Sequence, residues 1–227
     1  MKRLLILLLF LTILVNYTFG QADTAKLIKE VNTRLSSQNI GSSAILSNAS
    51  YDILHPQTSF RELIKKYPAT GVLTITNDKE PGKKIKVNVS VKDKNGKPVG
   101  NALVYLYQTD SRGWYAADAP HVLSYEGDTR HARLFGYANT GKTGTFELHT
   151  VKPSGYPQSE LPAHIHVHIT AEGYRPYVTE FLFDDDERLK GQIRDQSMRS
   201  KFLIAKPETG SSPFAQEFSY SVTLERG

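Results

Sequence analysis

Residues 83–108 read "KKIKVNVSVKDKNGKPVGNALVYLYQ", and the texture of this stretch decides the fold. Ile85, Val87, Val89 and Val91 alternate with Lys86, Asn88, Ser90 and Lys92, the period-2 pattern of a strand with one buried face. Asn95-Gly96 breaks the run with a dipeptide favoured in tight turns, and "NALVYLYQ" resumes as a second strand of apolar and aromatic residues. Downstream the texture recurs in "GTFELHTV" (144–151), "AHIHVHIT" (163–170), "YVTEFLF" (177–183) and "EFSYSVTLER" (217–226), punctuated by Gly, Asn and Pro. Short strands of this kind predict an all-β fold with an antiparallel β-sandwich core.

Upstream the periodicity turns helical. In "DTAKLIKEVNTRLSS" (23–37), Ala25, Leu27, Ile28, Val31 and Leu35 lie near one stripe, with Asp23 placed to cap it. "TSFRELIKKYP" (58–68) reads as a second short helix, capped by Thr58 or Ser59 and stopped by Pro68. The Ser/Asn/Gly-rich stretch between them reads as linker. The expected organisation is a helical N-terminal arm over 21–70 and a sandwich domain over 71–227.

The chain opens "MKRLLILLLFLTILVNYTFGQADT", with two cations, an apolar run from Leu4 to Val15, and small residues before Gln21. This layout predicts a signal peptide, residues 1–20, cleaved after Gly20, and a secreted or periplasmic protein with no membrane attachment after cleavage. The apolar run is short for a membrane span. No cysteine is present, which excludes disulfides, thiolate-held metals and a thiol nucleophile. Loss of Lys2 and Arg3 with the leader lowers the formal charge from +5 to +3, too mild and too dispersed for nucleic acid.

In "LPAHIHVHITAEG" (161–173), His164, His166 and His168 share one strand face while Ile165, Val167 and Ile169 share the other. A half-exposed polar strand accounts for this blandly; a metal site accounts for it sharply, since neutral imidazole is the commonest metal ligand. Two tyrosines sit in loops that follow strands. Tyr115 ends "TDSRGWY", and Tyr156 lies in "KPSGYP", eight residues before His164. Loops on a rigid sandwich are where sites are usually built.

Together these stretches resemble the intradiol ring-cleaving dioxygenases, of the catechol, hydroxyquinol and protocatechuate types, from about Pro81 to Asp185. "GKPVGNALVYLYQTDSRGWY" (96–115) is similar to that family's turn, strand and A-x-G-x-Y segment. "TVKPSGYP" (150–157) resembles its T-I-x-P-x-x-Y-P segment, "PAHIHVHI" (162–169) its R-P-A-H-I-H-F strand, and "YVTEFLFDDD" (177–186) the strand that follows. The resemblance implies non-haem Fe(III) held by Tyr115, Tyr156, His164 and His166. It also implies a catechol-type substrate cleaved with O2 between its hydroxylated carbons, giving a muconate-type diacid. Tyr156 would leave the metal and accept a substrate proton. Homodimerisation through an N-terminal helical region, known in some relatives, is a further implication.

Two positions depart from the family. Leu161 stands where an arginine beside the substrate is usual, and Glu180 where a glutamine is usual. Loss of one such cationic donor costs on the order of a hundredfold in rate; Arg112, Arg130 and Arg133 are the sequence's candidate replacements. The loop between Tyr156 and His164 is also shorter than in many members, which favours bulkier substrates. His168 reads as packing beside the site, since two residues along a strand rise by roughly 6–7 Å. His121, His131 and His149 read as structural or solvated, Trp114 as pocket wall or core, and the acidic run Asp184–Glu187 as a solvated turn. Two rival readings remain. One is a non-enzymatic transthyretin-like binding module, which leaves both tyrosines unexplained. The other is a cupin-like metal enzyme using Glu172 or Glu180 with His168, which explains neither tyrosine.

Overall fold

The alternation at 84–93 builds one strand whose odd-numbered apolar residues, Ile85 through Val91, are all buried. The computed structural model describes residues 23–38, 40–116 and 132–227. Contacts divide the chain into two units, 1–40 and 41–227. The first contains helix α1 over 23–37, where the apolar stripe predicts it. The second opens with α2 (Ser42–Leu46), a 3-10 turn (Ala49–Leu54) and α3 (Thr58–Lys66). It continues through β1 (Ala69–Thr70), β2 (Val72–Thr74), β3 (Lys84–Asp93), β4 (Leu103–Gln108), β5 (Leu134–Asn139) and β6 (Thr145–Val151). Then come β7 (His164–Thr170), β8 (Tyr177–Phe183), α4 (Gly191–Arg199), β9 (Leu203–Ala205), β10 (Glu208–Thr209) and β11 (Gln216–Leu224).

Six strands order as β1-β5-β4-β7-β8-β9 and five as β10-β11-β3-β6-β2. The predicted sandwich is present, and its sheets are mixed. β3–β6, β4–β5, β4–β7, β7–β8 and β10–β11 are antiparallel, whereas β1–β5, β2–β6, β8–β9 and β3–β11 are parallel. Parallel neighbours are joined by long connections rather than tight turns, so no local signal announces them. The Asn95-Gly96 turn forms, with Gly96 at φ 78° and the Asp93 side chain accepting from the Asn95 and Lys97 amides. It does not make a long hairpin, however. After a single bridge at Lys92–Pro98 the chain crosses from β3 in one sheet to β4 in the other.

Between the sheets lie Val87, Val89 and Val91 of β3, Val104 and Leu106 of β4, Leu148 of β6, Phe181 and Phe183 of β8, and Phe218 and Val222 of β11, all buried. Ile165, Val167 and Ile169 of β7 join them, fully buried, which turns His164, His166 and His168 to the outer face of the six-stranded sheet. Register completes that face: Tyr107 and Glu180 flank His166, and Tyr105 and Val178 flank His168.

Residues 41–70, which the sequence assigns to the arm, fall in the second unit. The stretch read as linker is structured, because Ile45, Leu46, Tyr51 and Leu54 are buried. The Ser43 hydroxyl there bridges the Val72 carbonyl and the Thr74 amide, tying α2 to β2. Helix α3 begins at Thr58, and its N-cap is Gln57 with no side-chain capping bond rather than Thr58 or Ser59. Among the described residues no helix is long and apolar enough to cross a membrane.

Candidate metal centre

Tyr115 is delivered by a turn that one buried carboxylate organises. Asp110, 3 % exposed, accepts from the Arg112 and Trp114 amides through Oδ1, and Oδ2 takes the Arg112 guanidinium. Gly113 sits at φ 83°, and a Cβ there would collide with the Gly155 carbonyl oxygen, so only glycine lets the Tyr115 and Tyr156 loops pass this closely. Stitching between the loops is extensive: Ser154 N–H donates to the Asp110 carbonyl, Ser154 Oγ to the Ser111 carbonyl, and Thr109 Oγ1 to the Ser154 carbonyl. Arg133 N–H holds the Tyr115 carbonyl from the other side.

The four residues singled out from the sequence converge. Tyr115 Oη lies 2.7 Å from Tyr156 Oη and 2.9 Å from His166 Nε2. Tyr156 Oη lies 3.1 Å from His164 Nε2, which lies 3.1 Å from His166 Nε2. Donors about 2 Å from a common ion at angles of roughly 90–110° stand about 2.8–3.3 Å apart, the spacing seen here.

Proton counting tests whether this set suits a cation. His164 Nδ1 lies 2.8 Å from the Pro162 carbonyl, which can only accept, so Nδ1 carries the proton and Nε2 presents a lone pair. His166 Nδ1 stands 3.5 Å from Glu180 Oε1, and a neutral ring with its proton on that side likewise presents Nε2 as a lone pair. In that state the two Nε2 atoms oppose lone pair to lone pair. Two phenolic protons cannot serve all four short contacts, and none can serve the His164–His166 contact. A positive ion at the centre removes the conflict. Burial, then the neighbouring Tyr156 phenol, hold the Tyr115 phenol far above its ordinary range, so it becomes phenolate only beside such an ion. Imidazole suits iron, and anionic oxygens suit its higher charge.

Around this set the sequence expectations divide. Tyr107 stacks on His166 with ring centroids 4.4 Å apart and fixes the imidazole plane. Glu180 forms a cluster with His164 and His166, all within 4.8 Å, yet it reaches His166 from the Nδ1 side and so orients the ligand. His168 packs edge-on against Tyr105 at 5.8 Å, and burial lowers its pKa; it belongs to the packing, as predicted. His149 contacts Glu147 and the Phe214 ring. Trp114 is half-buried under the Arg112 guanidinium, 4.1 Å from the ring centroid.

Both described candidates for the arginine missing at Leu161, Arg112 and Arg133, are held in ion pairs. Arg112 is engaged by Asp110, and Arg133 grips Glu80 through two bonds of 2.6 and 2.8 Å. Arg130, His121 and His131 lie outside the described residues. The acidic run is a turn with Asp185 and Glu187 exposed, as read, but three of its four acids have partners. Asp184 pairs with Arg194, Asp185 with Lys152 and Gln216, and Asp186 accepts from the Ala163 amide. Asp110 carried a readable signal in "TDSRGW", an Asp followed at three residues by Gly. Nothing local marks the reach of Asp186 and Arg188 to Ala163 and Tyr156, more than twenty residues away.

A sandwich whose outer face gathers two phenols and two imidazoles is compatible with a metal centre, and the comparisons give the family. The dioxygenase family model matches residues 64–226, and the chain belongs to that family, the intradiol ring-cleaving dioxygenases. Chlorocatechol 1,2-dioxygenase of Rhodococcus opacus is 29% identical over 127 residues, 48% of this chain and 47% of that one. The chain thus spans about half the length of this curated relative. Among solved structures, catechol 1,2-dioxygenase from Acinetobacter sp. ADP1 superposes with TM-score 0.56 at 19% identity, covering 69% of this chain and 57% of the other. The dioxygenase domain of a dioxygenase–carbohydrate-binding fusion from Streptomyces sp. SirexAA-E gives TM-score 0.52 at 22% identity, covering 70% and 90%.

Proposed function

We propose that this protein is a non-haem Fe(III) dioxygenase that cleaves catechol-type rings between the two hydroxylated carbons, consuming O2 and yielding muconate-type diacids. Tyr115, Tyr156, His164 and His166 hold the ion. The observation that carries the reading is the convergence of two imidazole Nε2 atoms, 3.1 Å apart, with two phenol oxygens. A transthyretin-like module has no use for such a convergence.

The two tyrosines differ in a way that divides their roles. Tyr115 is 4 % exposed and locked by its loop, whereas Tyr156 is only half-buried. On this reading Tyr115 Oη is the fixed ligand, and Tyr156 Oη is the one that turns outward and accepts a proton from an arriving diphenol. A ferric ion held by Tyr115, Tyr156, His164 and His166 would supply Lewis-acid chemistry toward a bound diphenol. His166 keeps its lone pair on the ion because Glu180 holds its Nδ1 proton and Tyr107 holds its ring. Leu161, 49 % exposed, replaces the usual cation with an apolar side chain, which favours an uncharged ring.

Reading residues 1–20 as a leader cut after Gly20 assigns the activity to a secreted or periplasmic protein, and α1 is the segment a homodimer would use. The test is oxygen uptake by the ferric protein against a panel of catechols, with isotopically labelled O2 and mass analysis of product. Both labelled atoms in one ring-opened diacid are expected. Label in water, or no uptake with any diphenol, overturns the reading.

A further inference from the structure

The turn after β8 reaches the metal loop from behind. Arg188 Nη1 donates to the Tyr156 carbonyl at 3.1 Å and to the Leu161 carbonyl at 3.2 Å, closing the span 156–161 on one nitrogen. Asp186 Oδ1 accepts from the Arg188 amide, and Oδ2 accepts from the Ala163 amide at 3.1 Å, one residue before His164. The contact is tight enough to dictate sequence, because a Cβ on Gly155 would collide with the Leu161 carbonyl oxygen and the Arg188 guanidinium. We propose that Asp186 and Arg188 form a clamp that positions the backbone of Tyr156 and His164, so that the Tyr156 side chain can leave and return while its main chain stays in place. The proposal rests on the reading of Tyr156 and His164 as ligands.

The base of the clamp is rigid, which a positioning device requires. Asp184 N–H bonds the Ala205 carbonyl, Asp186 N–H the Phe183 carbonyl, and Leu189, 3 % exposed, anchors the far end. Asp185 is held by Lys152 at 2.6 Å and Gln216 at 2.9 Å. Both groups act on carbonyl oxygens and amides of the loop, so Arg188 is a positioning residue. It also sets a guanidinium against the backbone of Leu161, the position at which the side-chain cation is missing.

The experiment is ferric titration of the full chain by chelator competition, with the visible tyrosinate absorption and the melting temperature of the metal-free protein recorded in parallel. Outer partners of metal ligands typically contribute ~10–100-fold in metal affinity, so Arg188→Gln is expected to weaken ferric binding by that range and to shift the band. Arg188→Lys keeps the charge and donors without the planar fork, and recovers part of the loss. Arg194→Gln, which breaks an ion pair on the same segment away from the loop, keeps wild-type affinity. A merely structural residue lowers only the melting temperature. Ferric affinity within about twofold of wild type and an unchanged band in Arg188→Gln overturn the clamp. Should that variant not fold, Asp186→Ala, which releases the Ala163 amide, decides by the same criterion. Wild-type protein that takes up no ferric ion, or a band unaltered by Tyr156→Phe, overturns the ligand reading and the clamp with it; failure of Arg188→Gln alone leaves the ligands standing.

Discussion

Glu180→Gln removes one charge from the metal site and little else. The Glu180 carboxylate stands 3.5 Å from His166 Nδ1. A glutamine carbonyl accepts the same N–H, so the tautomer and the ring orientation survive. Adding the width of the imidazole and a metal bond of about 2 Å places the carboxylate about 7 Å from the ion. Two phenolates leave a single net positive charge on a ferric centre. At an effective dielectric of about 20, unit charges at that distance attract by about 2 kcal/mol, or ~30-fold in affinity. The Glu180 side chain is 24 % exposed, which trims this without abolishing it. Glu180→Gln is therefore expected to lower ferric affinity by ~10–30-fold, read by chelator competition at neutral pH and low salt. Glu180→Ala also frees the imidazole and falls further. A Glu180→Gln protein that binds ferric ion as tightly as wild type would refute the electrostatic role of this carboxylate.

Three further outcomes follow from the packing around the site. Arg61 is buried, with Nη1 on the His55 and Ala132 carbonyls and Nη2 on Tyr105 Oη. Arg61→Met strands three acceptors at about 1–3 kcal/mol each, so thermal melting is expected to fall by roughly 6–12 °C or more, and a fall under about 2 °C sinks that accounting. Gly113→Ala adds a side chain at φ 83° against the Gly155 carbonyl, at a cost of at least ~2 kcal/mol, and ferric uptake should drop with the melting temperature; unchanged uptake would show that the two loops can part without harm. Burial lowers the His55 pKa to about 4 from 6.5, so the unfolded chain binds more protons than the folded one between those values. Its contribution, up to about 3 kcal/mol, is complete above pH 6.5 and lost as pH falls toward 4. His55→Gln should flatten that part of a stability–pH curve, and an unaltered slope counts against it.

The strands that carry the site were readable because each is a local pattern. Alternation marks β3, β6 and β7 directly, and the two tyrosine loops follow from Gly and Pro beside aromatic residues. What escaped is non-local. Strand β5 holds Gly136 and a mixed apolar run, and its place beside β4 depends on a neighbour some thirty residues earlier. The helical turns at 42–54 are rich in Ser and Asn, whose propensity argues for loop, and burial of Ile45, Leu46 and Leu54 overrides it. The acidic run was legible as a turn, but its pairing was not. Its charges look solvated in one dimension, yet Lys152, Arg194 and Gln216 meet them only once the sheets have stacked. Likewise Arg133 appeared available beside the Tyr115 loop until Glu80, fifty-three positions away, claimed it.

The visible spectrum of the ferric-loaded protein, beside that of Tyr115→Phe, reaches the central assertion most directly. Phenolate bound to ferric ion absorbs visible light, so wild type should be red to burgundy, and the variant weaker and displaced in wavelength. Colourless wild type after ferric loading, or a variant of identical colour, contradicts it.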